Sequence, residues 1–291
     1  MRYISAYCSS SPYPELSEYE PFVPFIFKLF INRNFNIKPV EVEILRFLYA
    51  LTYNMNNEEF EIIAHSTYAS DLGYRIVSHL DNPDDEIKRW AIMIVANLTW
   101  FSDEFYDDLF KDTDFICKLK ELLTFNDNSI LLDALISCSN ILANKNPYRK
   151  AILQDFGVLI NILFIIDMKD DDEVLQAALK ALSNAFNRSH DPCVLEFCIN
   201  NVEIIDVVVD KIHKKANTDT MLKISEVIKQ LFAIGQSHID IMPNCTANIF
   251  IDRIKNNDKF CHKFFEAQEH PTAAVYATFR DLVLKNFECE E

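Results

Sequence analysis

Three asparagines recur at a near-fixed interval: Asn97, Asn140 and Asn184 lie 43 and 44 residues apart, and Gln230 follows 46 residues later. A side-chain amide carries an acceptor oxygen and a two-donor nitrogen, so it can bind polar partners on two sides at once. That is hydrogen-bonding chemistry; it makes and breaks no covalent bond. Other reactive residue types do not assemble in this way. The acidic run Asp170 to Glu173 sits where a helix should start, and there carboxylates cap the first turn and complement its dipole. His262 and His270 share a region with Cys261, but no second pair of ligands accompanies them. The eight cysteines form no CxxC and read as free, buried thiols of a reducing compartment. No HExxH, GxSxG or Ser/His/Asp grouping occurs, and the three glycines, Gly73, Gly157 and Gly235, form no phosphate-cradling loop. The expectation is a non-enzymatic chain with no catalytic residue, no metal ligand and no cofactor.

The amides recur because the segments that carry them recur. DDEVLQAALKALSNAF (Asp171 to Phe186) matches DNSILLDALISCSNIL (Asp127 to Leu142) and DDEIKRWAIMIVANLT (Asp84 to Thr99). Each copy opens on an Asp, places an aliphatic three residues on (Ile87, Ile130, Val174), and an Ala four further (Ala91, Ala134, Ala178). Apolar spacings of three and four define a helix. The opening Asp can accept from free N–H groups of the first turn. The small Ala lets a neighbouring helix approach closely. From Ile87 to Leu98 the segment is apolar on more than one side, as a helix buried between neighbours must be. Units of this kind cannot bury their own faces, so they stack as a solenoid.

The run Asn146 to Asn187, NPYRKAILQDFGVLINILFIIDMKDDDEVLQAALKALSNAFN, resembles an armadillo repeat, with Arg149 in a short first helix, Gly157 at the bend and Asn184 late in the third helix. The resemblance extends over roughly residues 40 to 235. It implies an all-α, right-handed armadillo-type helical solenoid whose third helices line a concave groove. It also implies that Asn97, Asn140, Asn184 and Gln230 bind the backbone of an extended peptide there. The alternative is that each amide bridges neighbouring helices inside the stack. The nearest functional branch is importin-alpha-like, and its groove sets a Trp one turn before each Asn. Here those positions hold Met93, Ile136 and Lys180, while Trp90 and Trp100 fall in other registers, so no aromatic wall is expected. The favoured function is a protein-interaction scaffold. Nuclear import adaptor and chaperone nucleotide-exchange factor are the alternatives.

The formal net charge of −16 argues against direct nucleic-acid binding, which needs clustered Lys and Arg, and favours a protein or peptide partner, a basic one by charge. Val158 to Ile166 is too short to span a bilayer, and no signal peptide is visible, so the expectation is a cytoplasmic chain, present in the nucleus as well on the import reading. The Asn97-Leu-Thr sequon falls inside a helix and reads as accidental. The expected organisation is an irregular tail over 1–19, capping helices and a degenerate repeat over 20–57, four repeats over 58–235, and capping helices over 236–287. Outside the three repeated segments, helices are expected at Phe22 to Ile31, Val40 to Tyr53, Leu72 to Leu80, Phe115 to Leu123, Val202 to Ile212, Thr218 to Ile234, Met242 to Ile254 and Pro271 to Phe287.

Overall fold

The computed structural model describes residues 20–31, 37–54, 56, 69–100, 113–144, 147–155, 157–213, 215–242 and 244–287. Among them the regular structure is helical throughout. The expected tail over 1–19 and the first helices of the copies beginning at Glu58 and Phe101 lie outside the described residues. The chain forms two compact units, Met1–Arg149 and Lys150–Glu291.

The first unit opens on a 3-10 turn over Glu20–Phe22, then α1 (Val23–Ile31), α2 (Lys38–Asn54), α3 (Ala69–His79), α4 (Asp85–Leu98), α5 (Phe115–Leu122) and α6 (Asn128–Ala143). α4 is the central helix, packed against α2, α3 and α6. Its apolar circumference is what that position requires: Ile87, Ala91, Ile92, Ile94, Val95 and Leu98 are all buried. Ala91 and Ala134 have no exposed surface, so the shared Ala lies inside the packed helices as the repeat requires. The opening aspartates cap as their type dictates. Asp84 Oδ1 accepts from Glu86 N–H (3.1 Å), and Asp127 Oδ1 from Ser129 and Ile130 N–H (2.9 and 3.2 Å). Those donors, with that of Ile130 foremost, hold the Asp127 carboxyl below its usual range. α3 is pinned to α2 by Glu41, whose Oε1 lies 2.7 Å from His79 Nε2 and accepts from Arg75 Nη2 at 3.0 Å. Arg149, buried, turns back to donate to the Leu142 carbonyl at the C-terminal end of α6, where a cation suits the helix dipole.

Leading into the second unit is α7 (Pro147–Asp155); then come α8 (Gly157–Met168), α9 (Asp172–Phe186), α10 (Pro192–Asn200), α11 (Ile204–Asp210), α12 (Thr218–Ile241), α13 (Ile249–Lys255), α14 (Asp258–Ala267) and α15 (Ala273–Asn286). Asp171 caps α9 through Val174 N–H (3.1 Å), and Ala178 is fully buried. α9 packs along α12, with α8 and α11 behind them.

Two helix expectations are corrected here. α12 does not stop at Ile234 but runs on to Ile241, and residues 242 and 244–248 are not helical, so α13 begins only at Ile249. The reason is Gly235. A Cβ there would stand 2.2 Å from Asn248 Oδ1, so the bare helix surface admits Asn248. Asn248 then donates from Nδ2 to the Phe232 carbonyl (2.7 Å) while its Oδ1 caps α13. α14 was not expected at all; its apolar residues Phe260, Phe264 and Ala267 are buried, with Phe264 against Phe279 of α15.

Candidate functional site

Within the first unit a pocket of about 420 Å³ is lined from α2, α4 and α6, and both of its recurring asparagines are on its wall. α2 contributes Tyr49, Thr52 and Tyr53, and α6 contributes Asp133, Ile136 and Asn140. Met93, Ala96 and Asn97 come from α4, with Trp100 in the turn that follows it. Three- and four-residue spacings on each helix turn these side chains to a common face.

The amides are not idle. Asn97 Nδ2 donates to Thr52 Oγ1 at 3.2 Å, and that hydroxyl is itself held by the Leu48 carbonyl at 2.9 Å. Asn140 is only 7% exposed; its Nδ2 reaches the Ala96 carbonyl (3.2 Å) and Thr99 Oγ1 (3.4 Å). Each amide therefore ties its helix to the preceding long helix while also facing the pocket. Gln230 follows the same rule in the second unit. Its Nε2 donates to Ser183 Oγ on α9 at 3.1 Å, and Ser183 donates on to Glu226 at 2.8 Å. Asn184 lies half-buried next to Ser183 on α9 and is also engaged in interactions.

An aromatic wall is present, against the expectation from register. Trp100 is 71% exposed and Tyr53 57% exposed, and both line the pocket. α4 ends at Leu98, and Trp100 N–H bonds back to the Asn97 carbonyl at 3.1 Å. That closing turn places the indole by Asn97, three residues after the amide and not four before it. Tyr49 stacks obliquely on Tyr53, with centroids 5.7 Å apart, and meets Trp90 edge-on at 5.5 Å. Spacing alone marks part of this set: Tyr49 and Tyr53 stand one turn apart on α2, and Asp133 stands two turns before Asn140 on α6.

Asp133 is the charged member. Among the described residues no donor or cation lies within bonding distance of its carboxylate. Burial pushes its carboxyl up to about 6, opposed only in part by the field of Arg89 on α4. Arg89 itself is bonded to Asp127 Oδ2 at 2.9 Å.

The other candidates from the sequence are dispersed. His270 is buried, with Nε2 3.1 Å from the Ala216 carbonyl and Nδ1 accepting from Thr272 N–H, while Cys261 Sγ points at the Ile254 carbonyl. Among the described residues no three His, Cys, Asp or Glu side chains converge, and no single helix is long and apolar enough to cross a membrane.

No family model matches the chain, and no curated protein does. Solved structures do. The designed armadillo repeat protein YIII(Dq)4CqI superposes with a TM-score of 0.67 at 17% identity, over 88% of this chain and 96% of that one. The fold is an all-α, armadillo-type solenoid. Computationally designed armadillo repeat proteins for modular peptide recognition reach a TM-score of 0.69 at 17% identity, over 90% of this chain and 98% of theirs. Another designed armadillo repeat protein, in complex with the peptide (KR)4, gives a TM-score of 0.69 at 16% identity, over 90% of this chain and 98% of that one.

Proposed function

We propose that the chain is a non-enzymatic interaction scaffold that binds an extended segment of a partner protein, anchored in the pocket on α2, α4 and α6. The observation that carries this reading is the pair of exposed aromatics, Trp100 and Tyr53, beside two polar amides in one concavity. Large aromatics left in water beside convergent polar groups mark recognition surfaces, because they bury much area at little entropic cost. The peptide-bound designed protein of the same fold supports the choice of an extended ligand. Asn140 has its two N–H bonds committed to Ala96 of α4 and to Thr99 just past its end, so its oxygen is the part that accepts from a ligand's backbone N–H. Asn97 is bound to Thr52 through one N–H and presents the rest of its amide.

One observation favours the import-adaptor form of this reading, in which the chain works in both cytoplasm and nucleus: Trp100 supplies Asn97 with an aromatic neighbour. The experiment is fluorescence anisotropy of a labelled octapeptide of alternating Arg and Ser, titrated with the protein and its variants. Trp100→Ala and Asn97→Ala alter exposed or half-exposed side chains and should leave helicity unchanged. Trp100→Ala is expected to weaken binding about tenfold, the usual scale for a central aromatic anchor. Undiminished binding in both variants would place the peptide elsewhere and remove this site.

A further inference from the structure

In the second unit α13, α14 and α15 border a cavity of about 310 Å³ that shares no residue with the pocket on α2, α4 and α6. Its wall is apolar: Ile254 from α13, Phe264 and Phe265 from α14, Val283 from α15 and Phe287 just beyond it. The floor is already built. Phe264 is buried, its ring centre 5.4 Å from that of Phe287, and Phe287 meets Phe232 of α12 edge-on at 6.1 Å. Phe265, in the same wall, is 53% exposed, so the cavity reaches solvent.

Two polar side chains line this space, and they are not equivalent. The Cys261 thiol donates to the Ile254 carbonyl at 3.4 Å, so its one hydrogen is used inside the wall. Lys255 is exposed, and among the described residues no carboxylate lies within ion-pair distance of its ammonium. The cations around it are taken: Arg253 by Asp206, and Lys259 and Lys263 by Asp210. A cation at the last residue of α13 suits the helix dipole, but that explains its charge and not its place on an apolar wall. A water molecule in a cavity needs about 2–4 polar partners, and this wall offers one, so the space suits an apolar body. Lys255 sets what that body carries. A cation is repelled, a neutral polar group finds no side-chain acceptor, and an anion meets the ammonium. The volume stands at the small end of ligand pockets, about 300–1,000 Å³, which admits an alkyl chain or an aryl group rather than a whole lipid. We propose that this cavity binds a small amphiphilic carboxylate, its apolar body against Phe264, Phe265 and Phe287 and its head group at Lys255. The net charge of −16 opposes an anion at long range, so the apolar contacts supply the affinity and Lys255 the choice of head group.

The test uses the full chain and one tail with three head groups. Decanoate, decanol and decylamine are titrated by calorimetry. Occupancy of the cavity is read separately, as protection of the half-buried Cys261 thiol from iodoacetamide, with the exposed Cys117 of the first unit as internal reference. Decanoate at ten times its Kd is expected to slow Cys261 alkylation about tenfold and to leave Cys117 unchanged. Decanol should bind several-fold more weakly than decanoate, and decylamine more weakly still. Lys255→Gln should bring decanoate down to the level of decanol without altering decanol, a loss of preference that a merely structural lysine would not show. Val283→Phe puts a ring into the space and should abolish binding while melting at no lower temperature than the parent. Should that variant fail to fold, Phe265→Ala, which trims an exposed ring, should weaken decanoate and decanol alike. No decanoate binding, equal affinity for decanoate and decanol in the parent, a Lys255→Gln variant that keeps the preference, or a cavity variant that binds unchanged would each overturn the assignment. Protection of Cys117 as strong as that of Cys261 would do the same, since the tail would then be coating apolar surface at large.

Discussion

At neutral pH the fold holds Asp133 ionised in a place that burial makes unfavourable for charge. The sign of the consequence is fixed by linkage. Burial raises its folded carboxyl from the ordinary 3.8 of an aspartate to about 6, so between those values the folded chain keeps a proton the unfolded chain has lost. Stability from this group is present on the acid side and is lost as pH rises through the folded value. The positive charge of Arg89 on α4 recovers part of the loss. Asp133→Asn should therefore be more stable than the parent at pH 7.5 by about 1–2 kcal/mol, the shift discounted for partial exposure, and no more stable at pH 4. Urea midpoints at the two pH values check this; a variant weaker at pH 7.5 would mean that the carboxylate is structurally satisfied. A residue that costs stability and is cured by its neutral isostere is the kind that function keeps. Such residues are poorly legible in sequence. The period exposed Asn97 and Asn140, but the partners of Asn140 are a backbone carbonyl and a hydroxyl more than 40 residues away, which no local pattern announces. Trp100 was legible only as a type; the turn that swings it to Asn97 is a property of where α4 ends.

At the scale of elements the aspartate, the aliphatic and the alanine of each repeat decided both helix starts and buried faces, because capping and close packing are local consequences of residue type. Gly235 shows where that logic fails. A glycine late in a helix reads as a stop, since it readily takes the left-handed conformation of a C-cap. Here the helix passes straight through it, and the missing Cβ serves a neighbour 13 residues away, Asn248. Two effects then compete in Gly235→Ala. Helix propensity favours alanine by about 1 kcal/mol. The clash, with Oδ1 at 2.2 Å from the new Cβ, drives Asn248 out and strips the cap of α13, at a cost of about 1–3 kcal/mol. The single variant should be destabilised. In an Asn248→Ala background the obstacle is gone and the same substitution should be neutral or stabilising, a coupling that a double-mutant cycle in urea measures directly. Additive effects would show that Gly235 is not kept for Asn248.

For the whole molecule the relevant quantity is a formal net charge of −16. The 43- and 44-residue period made the solenoid legible, because stacking is the only way such helices can bury their faces. The same sequence could not say whether a basic ligand is drawn by the general field or held at one place, and kinetics can separate the two. The field acts over distances comparable with the Debye length, about 8–10 Å at physiological ionic strength, so salt screens it. It steers encounter and therefore enters the association rate. A segment packed on the rings of Trp100 and Tyr53 is partly withdrawn from water, where screening is weak, and losing that contact is felt as faster dissociation. For the Arg-Ser octapeptide, raising salt from 50 to 300 mM should slow association several-fold and change dissociation little. Trp100→Ala leaves the net charge at −16, so it should barely alter association while speeding dissociation about tenfold. Stopped-flow anisotropy gives both constants. If salt and Trp100→Ala change the same rate constant in the same proportion, the peptide is held only by the diffuse field of an acidic surface, and the pocket has no part in binding it.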